Sequence, residues 1–390
     1  MRRIRWGMVG GGRGGFIGEV HRMGARLDDR YVLLAGALSS DPDRARLSAA
    51  DCGIGPDRAY ADFREMARRE AARPDGIEAV TIVTPNASHY AVACAFLDEG
   101  IHVICDKPLA TSLEEARDLV ALAGKAGRLL AITYNYSGYP TVRHARSIIA
   151  EGALGPLRII QVEFALGWLS VPLEKEGVKQ AWRTDPAEAG PSGVIADIGT
   201  HAYHLVRFVT GLEVEELACD MSTFVPGRRL EDDARILLRF KGGARGILWA
   251  SMVAAGESVG FRMRVYGERG HLSWDEAHPD QLHLRLLDGT DQTLHRGGKL
   301  APYADRSTRL VAGLPEGFIE AFANLYRDYA EQILAIDETR APDPMSVLAP
   351  KGMDGIEMLA FVEAALRSAR ERSAWVTPES VGGSAAPLRG

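Results

Sequence analysis

Asp197 and His201 stand four residues apart in the stretch DIGTHAYH, so on a helix they share a face and the carboxylate can reach the imidazole. A carboxylate that fixes a histidine's tautomer builds a general acid–base. His201 and His204 are three apart, a spacing that also suits a metal ion. No further cluster of Cys, His or carboxylates completes a metal site at recognisable spacing, and no metal is expected. Plain structural polarity is the remaining alternative for these residues. Lys107 is the second focus, because it follows a short apolar run and precedes Pro108. A strand end and a proline would hold it rigidly at a sheet edge, pointing at a crevice. On local sequence alone, a surface lysine in a turn fits equally well. Trp182 and Arg183 pair an aromatic with a fork-shaped donor, which suits a sugar pocket or a loop anchor. Tyr136, in the run Tyr134-Asn135-Tyr136, suits either the same crevice or packing between domains.

The elements that must position these residues begin at IRWGMVGGGRGGFIGEVH, residues 4–21, which reads as strand, tight turn and helix start. Gly10, Gly12 and Gly15 satisfy G-x-G-x-x-G in the context that gives the motif meaning. One glycine turns the chain, one admits a pyrophosphate, and one lets helix and strand pack closely. The amides opening the helix, around Phe16 and Ile17, would face the phosphates. A second register exists, in which Gly15 and Gly18 supply the last two glycines after a two-residue extension. A glycine-rich loop without a ligand is the bland alternative.

Strands are expected at residues 31–38, 79–83, 102–105 and 128–133, with helices at 43–50, 88–99 and from a capping box at Ser112 to about 127. This alternation predicts a parallel sheet with helices on both faces. Ligands of such sheets bind beyond the strands' carboxyl ends. Candidate cofactor contacts there are Ser39 and Ser40, then Thr84, Pro85, Asn86 and His89, then Asp106 and Lys107. Ser39-Ser40 stands where NAD-specific sites place an acid, so NADP should be accepted beside NAD.

The rhythm then changes. A helix is expected at 143–150, a strand at 157–166, an irregular stretch at 170–191 and a helix from near Asp197. Strand-like runs joined by short turns follow at 217–224, 234–240, 245–252, 261–266 and 282–287, which predicts one large, mostly antiparallel sheet. Residues 290–314 read as polar loop, and helices are expected at 318–336 and 352–370. The expected domains are 1–135, which binds a dinucleotide, and 136–378; 379–390 form a flexible tail. The helix ending the second domain is allowed to pack back on the first.

A chain of 390 residues exceeds the usual single core. A net charge of −6 argues against nucleic-acid or anionic-membrane partners. No apolar run approaches the roughly 18 residues of a membrane span, and the start of the chain does not read as a secretory signal. The four cysteines lack paired or zinc-like spacing and read as reduced thiols of a cytoplasmic protein.

The ordered set GGGRGGFIGEVH, TPNASH, CDKPLATSLEEA, YNY, WRTDP and GVIADIGTHAYHL resembles the Gfo/Idh/MocA oxidoreductases, the glucose–fructose oxidoreductase and inositol dehydrogenase group, over essentially residues 4–370. The resemblance implies an α/β chain: an N-terminal Rossmann dinucleotide-binding domain and a C-terminal α+β domain with a large, mostly antiparallel open sheet. The family's E-K-P lysine corresponds to Lys107, and the aspartate and histidine of its D-x-G-x-H to Asp197 and His201. Asp106 replaces the usual glutamate, one methylene shorter, and His204 stands where an aspartate is frequent on the substrate side. The implied reaction moves a hydride from a secondary alcohol of a sugar or cyclitol to NAD or NADP. His201 would be the base, Asp197 its orienter, and Lys107 the stabiliser of alkoxide character. A homodimer or homotetramer is expected. Two other readings share these motifs: a glycosidase using transient oxidation with retained NAD, and a nicotinamide-binding sensor without turnover.

Overall fold

The computed structural model describes residues 2–172 and 181–379. The apolar run before the glycine turn forms β1 (Ile4–Gly10), and the segment after it forms α1 (Phe16–Leu27). The alternation continues through β2 (Tyr31–Ala37), α2 (Pro42–Asp51), α3 (Phe63–Ala71), β3 (Ala79–Val83), α4 (His89–Asp98), β4 (His102–Cys105), α5 (Leu113–Ala126) and β5 (Leu130–Ile132). These strands pair in parallel in the order β2-β1-β3-β4-β5. Every residue of β3, β4 and β5 is buried, as a parallel sheet covered on both faces requires. The strand order reverses between β1 and β3, where such sheets open their ligand crevice. Asp41, Asp62 and Ser112 cap α2, α3 and α5 by accepting from backbone N–H groups. The expected capping box is shifted by one residue, since Glu115 reaches back to the N–H of Thr111 at 3.2 Å.

The next elements are α6 (Pro140–Ala150), β6 (Leu157–Ala165), α7 (Pro186–Ala189), a π-helical turn at Ile195–Gly199 and α8 (Thr200–Thr210). β7 (Val214–Ser222), β8 (Asp233–Phe240), β9 (Arg245–Ser251), β10 (Gly260–Gly267), β11 (Gly270–Asp275), β12 (Gln281–Leu286), β13 (Asp291–His295) and α9 (Pro302–Asp305) follow. Their sheet has the order β13-β12-β11-β10-β6-β9-β8-β7. All neighbours run antiparallel except β6 and β9, which are parallel. Two expectations are corrected here. Residues 290–314 are not simply loop, because β13 extends the sheet and α9 follows it. β13 is polar and largely exposed, so an edge strand showed no hydrophobic alternation. The irregular stretch at 170–191 holds a 3₁₀ turn at Ala181–Thr184 and α7, while its residues 173–180 lie outside the described residues.

Residues up to Gly138 together with Phe318–Ile356 form one compact unit; Tyr139–Gly317 together with the described residues from Glu357 onward form another. The sequence reading assigns 318–356 to the second domain, and the packing of α10 (Phe318–Asp337) explains the difference. Its buried stripe of Phe322, Leu325, Tyr326, Tyr329 and Ile333 joins the core of the first unit. Tyr326 meets Trp6 and Tyr31 edge-on, with ring centroids 6.0 and 5.3 Å apart. Gly24 of α1 lets the helices touch, since a Cβ there would stand 2.8 Å from Phe322 Cβ. In the second unit Tyr203 of α8 stacks on Phe361 of α11 (Gly352–Arg370) at 4.2 Å. Apart from residue 379, the proposed tail lies outside the described residues. No helix among the described residues is long and apolar enough to cross a membrane.

Candidate functional site

The first unit builds a cradle at the turn between β1 and α1. Gly10 has φ +82°, and a Cβ on it would stand 2.8 Å from the Val83 carbonyl oxygen. The Gly12 N–H donates to Leu38 O and the Arg13 N–H to Ser48 Oγ, both at 3.1 Å, so these amides bind β2 and α2. Gly15 is the N-cap of α1, which has no side-chain cap. The amides of Phe16 and Ile17 therefore open the helix with no intrahelical partner, as a diphosphate requires. The closest approach of helix and turn is at Gly18. A Cβ on Gly18 would lie 2.4 Å from Gly11 Cα, against 3.1 Å for one on Gly15. The packing glycine of the motif is thus Gly18; Gly15, assigned that part in the sequence reading, starts the helix instead.

A cleft of about 600 Å³ beside the turn is lined by Gly14, Phe16, Arg22, Ser48 and Asp51 among others, with Phe16 74% exposed. Arg13 Nη2 donates to Asp51 Oδ1 at 2.8 Å, and Arg44 Nη2 donates to the Arg13 carbonyl at 2.7 Å. Ser39 Oγ accepts from the Asp41 N–H at 3.2 Å, and Ser40 is exposed beside it. These residues fit a dinucleotide: a cradle that any Cβ would fill, uncapped amides at a helix start, and hydroxyls ending β2.

Thr84-Pro85-Asn86 leave the carboxyl end of β3, and Asp106-Lys107 that of β4. His89 joins the two loops rather than projecting from them. Its Nδ1 lies 2.7 Å from the Pro108 carbonyl oxygen and its Nε2 2.9 Å from that of Thr84. Burial lowers its pKa, opposed by both carbonyls and by Asp106. A neutral imidazole can donate to only one of them. His89 is thus a buried strut between the two loops. Asp106 accepts from Thr133 Oγ1 at 2.8 Å, lies 3.7 Å from His21 Nε2, and donates its own N–H to Ile82 O at 2.9 Å. Burial works against the charge of Asp106, but the His21 ring, the Lys107 ammonium and the Thr133 hydroxyl outweigh it and hold the carboxyl well below the usual range. Tyr136 is buried, its ring 6.2 Å from that of Phe318.

The second unit gathers the other candidates. Asp197 lies in the π-helical turn, so the α-helix expected from near Asp197 begins instead at Thr200. π turns concentrate at functional sites. Asp197 Oδ2 lies 3.5 Å from Arg183 Nε, and the Arg183 guanidinium sits over the rings of Trp182 at 4.5 Å and Trp168 at 5.9 Å. Sequence reasoning missed Trp168, an isolated aromatic after β6 with no motif around it. His201 is buried, its ring 6.3 Å from Phe164, and His204 stacks on Phe208 at 6.1 Å. Glu231 was missed too. Its Oε1 accepts from the N–H groups of Gly193 at 2.8 Å and Ile195 at 3.3 Å, holding the start of the Asp197 turn. Burial raises the pKa of this carboxyl, against the pull of those donors. Among the described residues no group of three or more His, Cys, Asp or Glu is placed to hold a metal ion.

A five-stranded parallel sheet with this cradle at its switch point defines a dinucleotide-binding Rossmann fold. Residues 4–134 match the family described as oxidoreductases with an NAD-binding Rossmann fold, and residues 142–273 match the GFO/IDH/MocA C-terminal domain. The chain belongs to the GFO/IDH/MocA oxidoreductase family. It is 37% identical to the uncharacterized oxidoreductase YfiI of Bacillus subtilis over 96% of each chain. An inositol dehydrogenase homolog from Azotobacter vinelandii, solved with NAD+, is 40% identical at a TM-score of 0.92, covering 96% of this chain and 97% of its own. The same source's homolog complexed with NADH and myo-inositol is 39% identical at a TM-score of 0.90, covering 96% and 98%.

Proposed function

We propose that this protein is an NAD(P)-dependent dehydrogenase of a sugar, sugar derivative or cyclitol. The observation that carries the reading is the Asp106-Lys107 turn at the carboxyl end of β4, with Asp106 held as a carboxylate. A bound nicotinamide would supply the hydride acceptor for oxidation of a secondary alcohol to a ketone. Lys107 hydrogen-bonds the reacting oxygen and stabilises its developing negative charge. His201 accepts the hydroxyl proton, and Asp197 orients the residues around it. Trp168, Trp182 and Arg183 offer apolar faces and fork-shaped donors to a polyol ring. The Azotobacter neighbour that binds NADH and myo-inositol supports this substrate class, as does the similarity to myo-inositol 2-dehydrogenase of Thermotoga maritima, at 24% identity over 97% of this chain. The exposed sheet face carrying Ile159, Leu237 and Ile247 supports assembly into a homo-oligomer.

A screen of sugars and cyclitols with NAD+ or NADP+, followed by absorbance of reduced nicotinamide, tests the reading. Accumulation of reduced cofactor is expected. Release of a sugar from a glycoside without net reduction would identify the glycosidase instead. Arg183→Ala should raise the polyol KM about tenfold, the weight of a hydrogen bond to a charged group, and leave NADH affinity unchanged. Equal losses of both affinities would make Arg183 part of the scaffold.

Cofactor preference turns on Arg13. NADP is accepted because Ser39 and Ser40 present no carboxylate to a 2′-phosphate. NAD is accepted because Arg13 is held by Asp51 and Arg44 by the Arg13 carbonyl. Asp51→Ala should release the Arg13 guanidinium and raise NADPH affinity about tenfold, near 1.4 kcal/mol, with NADH affinity constant. Fluorescence titration of both reduced cofactors measures this without substrate. Unchanged NADPH affinity would take Arg13 away from the 2′ side.

A further inference from the structure

A line of buried polar groups in the first unit starts on β1 and ends at the loop that carries Lys107. Trp6 Nε1 donates to Thr81 Oγ1 at 2.9 Å. Thr81 Oγ1 and Tyr326 Oη are 2.8 Å apart, and Tyr326 Oη and His21 Nδ1 are 2.8 Å apart. His21 Nε2 then faces Asp106 Oδ1 at 3.7 Å, too long for a hydrogen bond but short for a charge interaction. Trp6, Thr81 and His21 are fully buried and Tyr326 nearly so. Water cannot reverse a donor here without leaving a buried group unsatisfied.

Counting protons gives the line a direction. Trp6 can only donate, so Thr81 accepts from it. The Thr81 hydroxyl proton then has Tyr326 Oη as its acceptor. The Tyr326 proton passes in turn to His21 Nδ1. His21 is left neutral, with its proton on Nε2 and aimed at the Asp106 carboxylate. The opposite direction would strand the Thr81 proton and put a proton on His21 Nδ1, as the other tautomer or as imidazolium.

We propose that Tyr326 and His21 are positioning residues for Lys107: the directed chain Trp6–Thr81–Tyr326–His21 fixes the Asp106 carboxylate, and with it the backbone from which Lys107 projects. Asp106 then faces the His21 N–H at 3.7 Å without a direct hydrogen bond, accepts from the Thr133 hydroxyl, and donates its own N–H to Ile82 O. The chain also links segments far apart in sequence: β1 and the helix of the glycine turn, β3, the lysine loop and α10. The inference rests on the catalytic part given to Lys107 above, whereas the directed chain can be tested without it.

The experiment has two arms. In ¹⁵N-histidine-labelled protein, His21 is identified as the ring signal lost in His21→Gln. Wild type should show Nε2 protonated and Nδ1 bare, and Tyr326→Phe, which keeps the ring packing, should disturb that signal. A protonated Nδ1 in wild type, as the other tautomer or as imidazolium, overturns the chain. In the second arm, Tyr326→Phe should lower kcat for polyol oxidation about tenfold, since displacing a catalytic group by about 1 Å costs on the order of 10²-fold. KM for the nicotinamide should stay within about twofold, because the cradle is untouched. His21→Gln keeps an N–H toward Asp106 and should retain more turnover than His21→Leu. Unchanged kcat in Tyr326→Phe, or equal losses in the two His21 variants, would reduce the line to core packing. A wild type that turns over no polyol sinks the dehydrogenase reading instead, and the tautomer alone then decides the chain.

Discussion

Lys107→Ala should lower kcat/KM for polyol oxidation by about 10³-fold while NADH still binds. The magnitude is that of removing a preorganised donor from a developing oxyanion, on the order of 10²–10³-fold or about 3–4 kcal/mol. A charged donor belongs at the upper end. His201→Ala should cost less, because water can take the proton inefficiently but cannot replace a fixed ammonium. Lys107→Arg restores charge without the ammonium's compact geometry and should recover only part of the loss. Steady-state rates and an NADH fluorescence titration on the same preparation decide the matter. A Lys107→Ala enzyme that binds NADH and keeps a tenth or more of wild-type turnover would remove the lysine from the chemistry.

Gly18→Val should abolish nicotinamide binding, with Gly18→Ala already costing about 100-fold in affinity. A Cβ at residue 18 would be placed 2.4 Å from Gly11 Cα, and its next neighbours, 2.9 and 3.0 Å away, are also backbone atoms of Gly11. Backbone cannot swing aside as a side chain can, so the turn itself must move, at the roughly 1–3 kcal/mol typical of overpacking. That displacement falls on the amides of Phe16 and Ile17, so the loss appears in cofactor affinity more than in global stability. Gly15→Ala is the informative comparison: its Cβ would stand 3.1 Å from the nearest atoms, at an ordinary φ of −88°. It should cost less than about tenfold, the equivalent of 1.4 kcal/mol. The reverse ranking of the two alanine variants by NADH titration would restore Gly15 as the packing glycine.

Why the sequence left that choice open is instructive. The second register needs a two-residue extension of the spacing rule, and what separates the two is how near a Cβ on Gly18 or on Gly15 would stand to Gly11 Cα. The parallel sheet was legible because its strands are short, mostly apolar and separated by helices, three of them capped by a side chain. The lysine after β4 was legible because strand and proline leave it one place to be. The placement of α10 was not, because an amphipathic stripe says that a face is buried and not against what. His21 stood in plain view on α1, but a histidine on an otherwise apolar face carries no sign of its partner, which lies 305 residues further along. Glu231 holds the Asp197 turn from a loop without any pattern of its own. The π turn escaped because α- and π-helical turns share their residue preferences.

The return of α10 to the first unit also has a consequence for biosynthesis. The ribosome releases the whole five-stranded sheet long before residues Phe318–Asp337 exist. At synthesis rates of about 5–20 residues per second, the nascent sheet waits roughly ten seconds or more for its last helix. During that interval the faces of Trp6, Tyr31 and α1 that α10 covers lie open, and the hydroxyl that fixes His21 is missing. The cofactor-binding unit is thus continuous in space but interrupted in time. Its completion is coupled to the synthesis of all the intervening chain, which makes a half-made protein a client for chaperones rather than a folded domain.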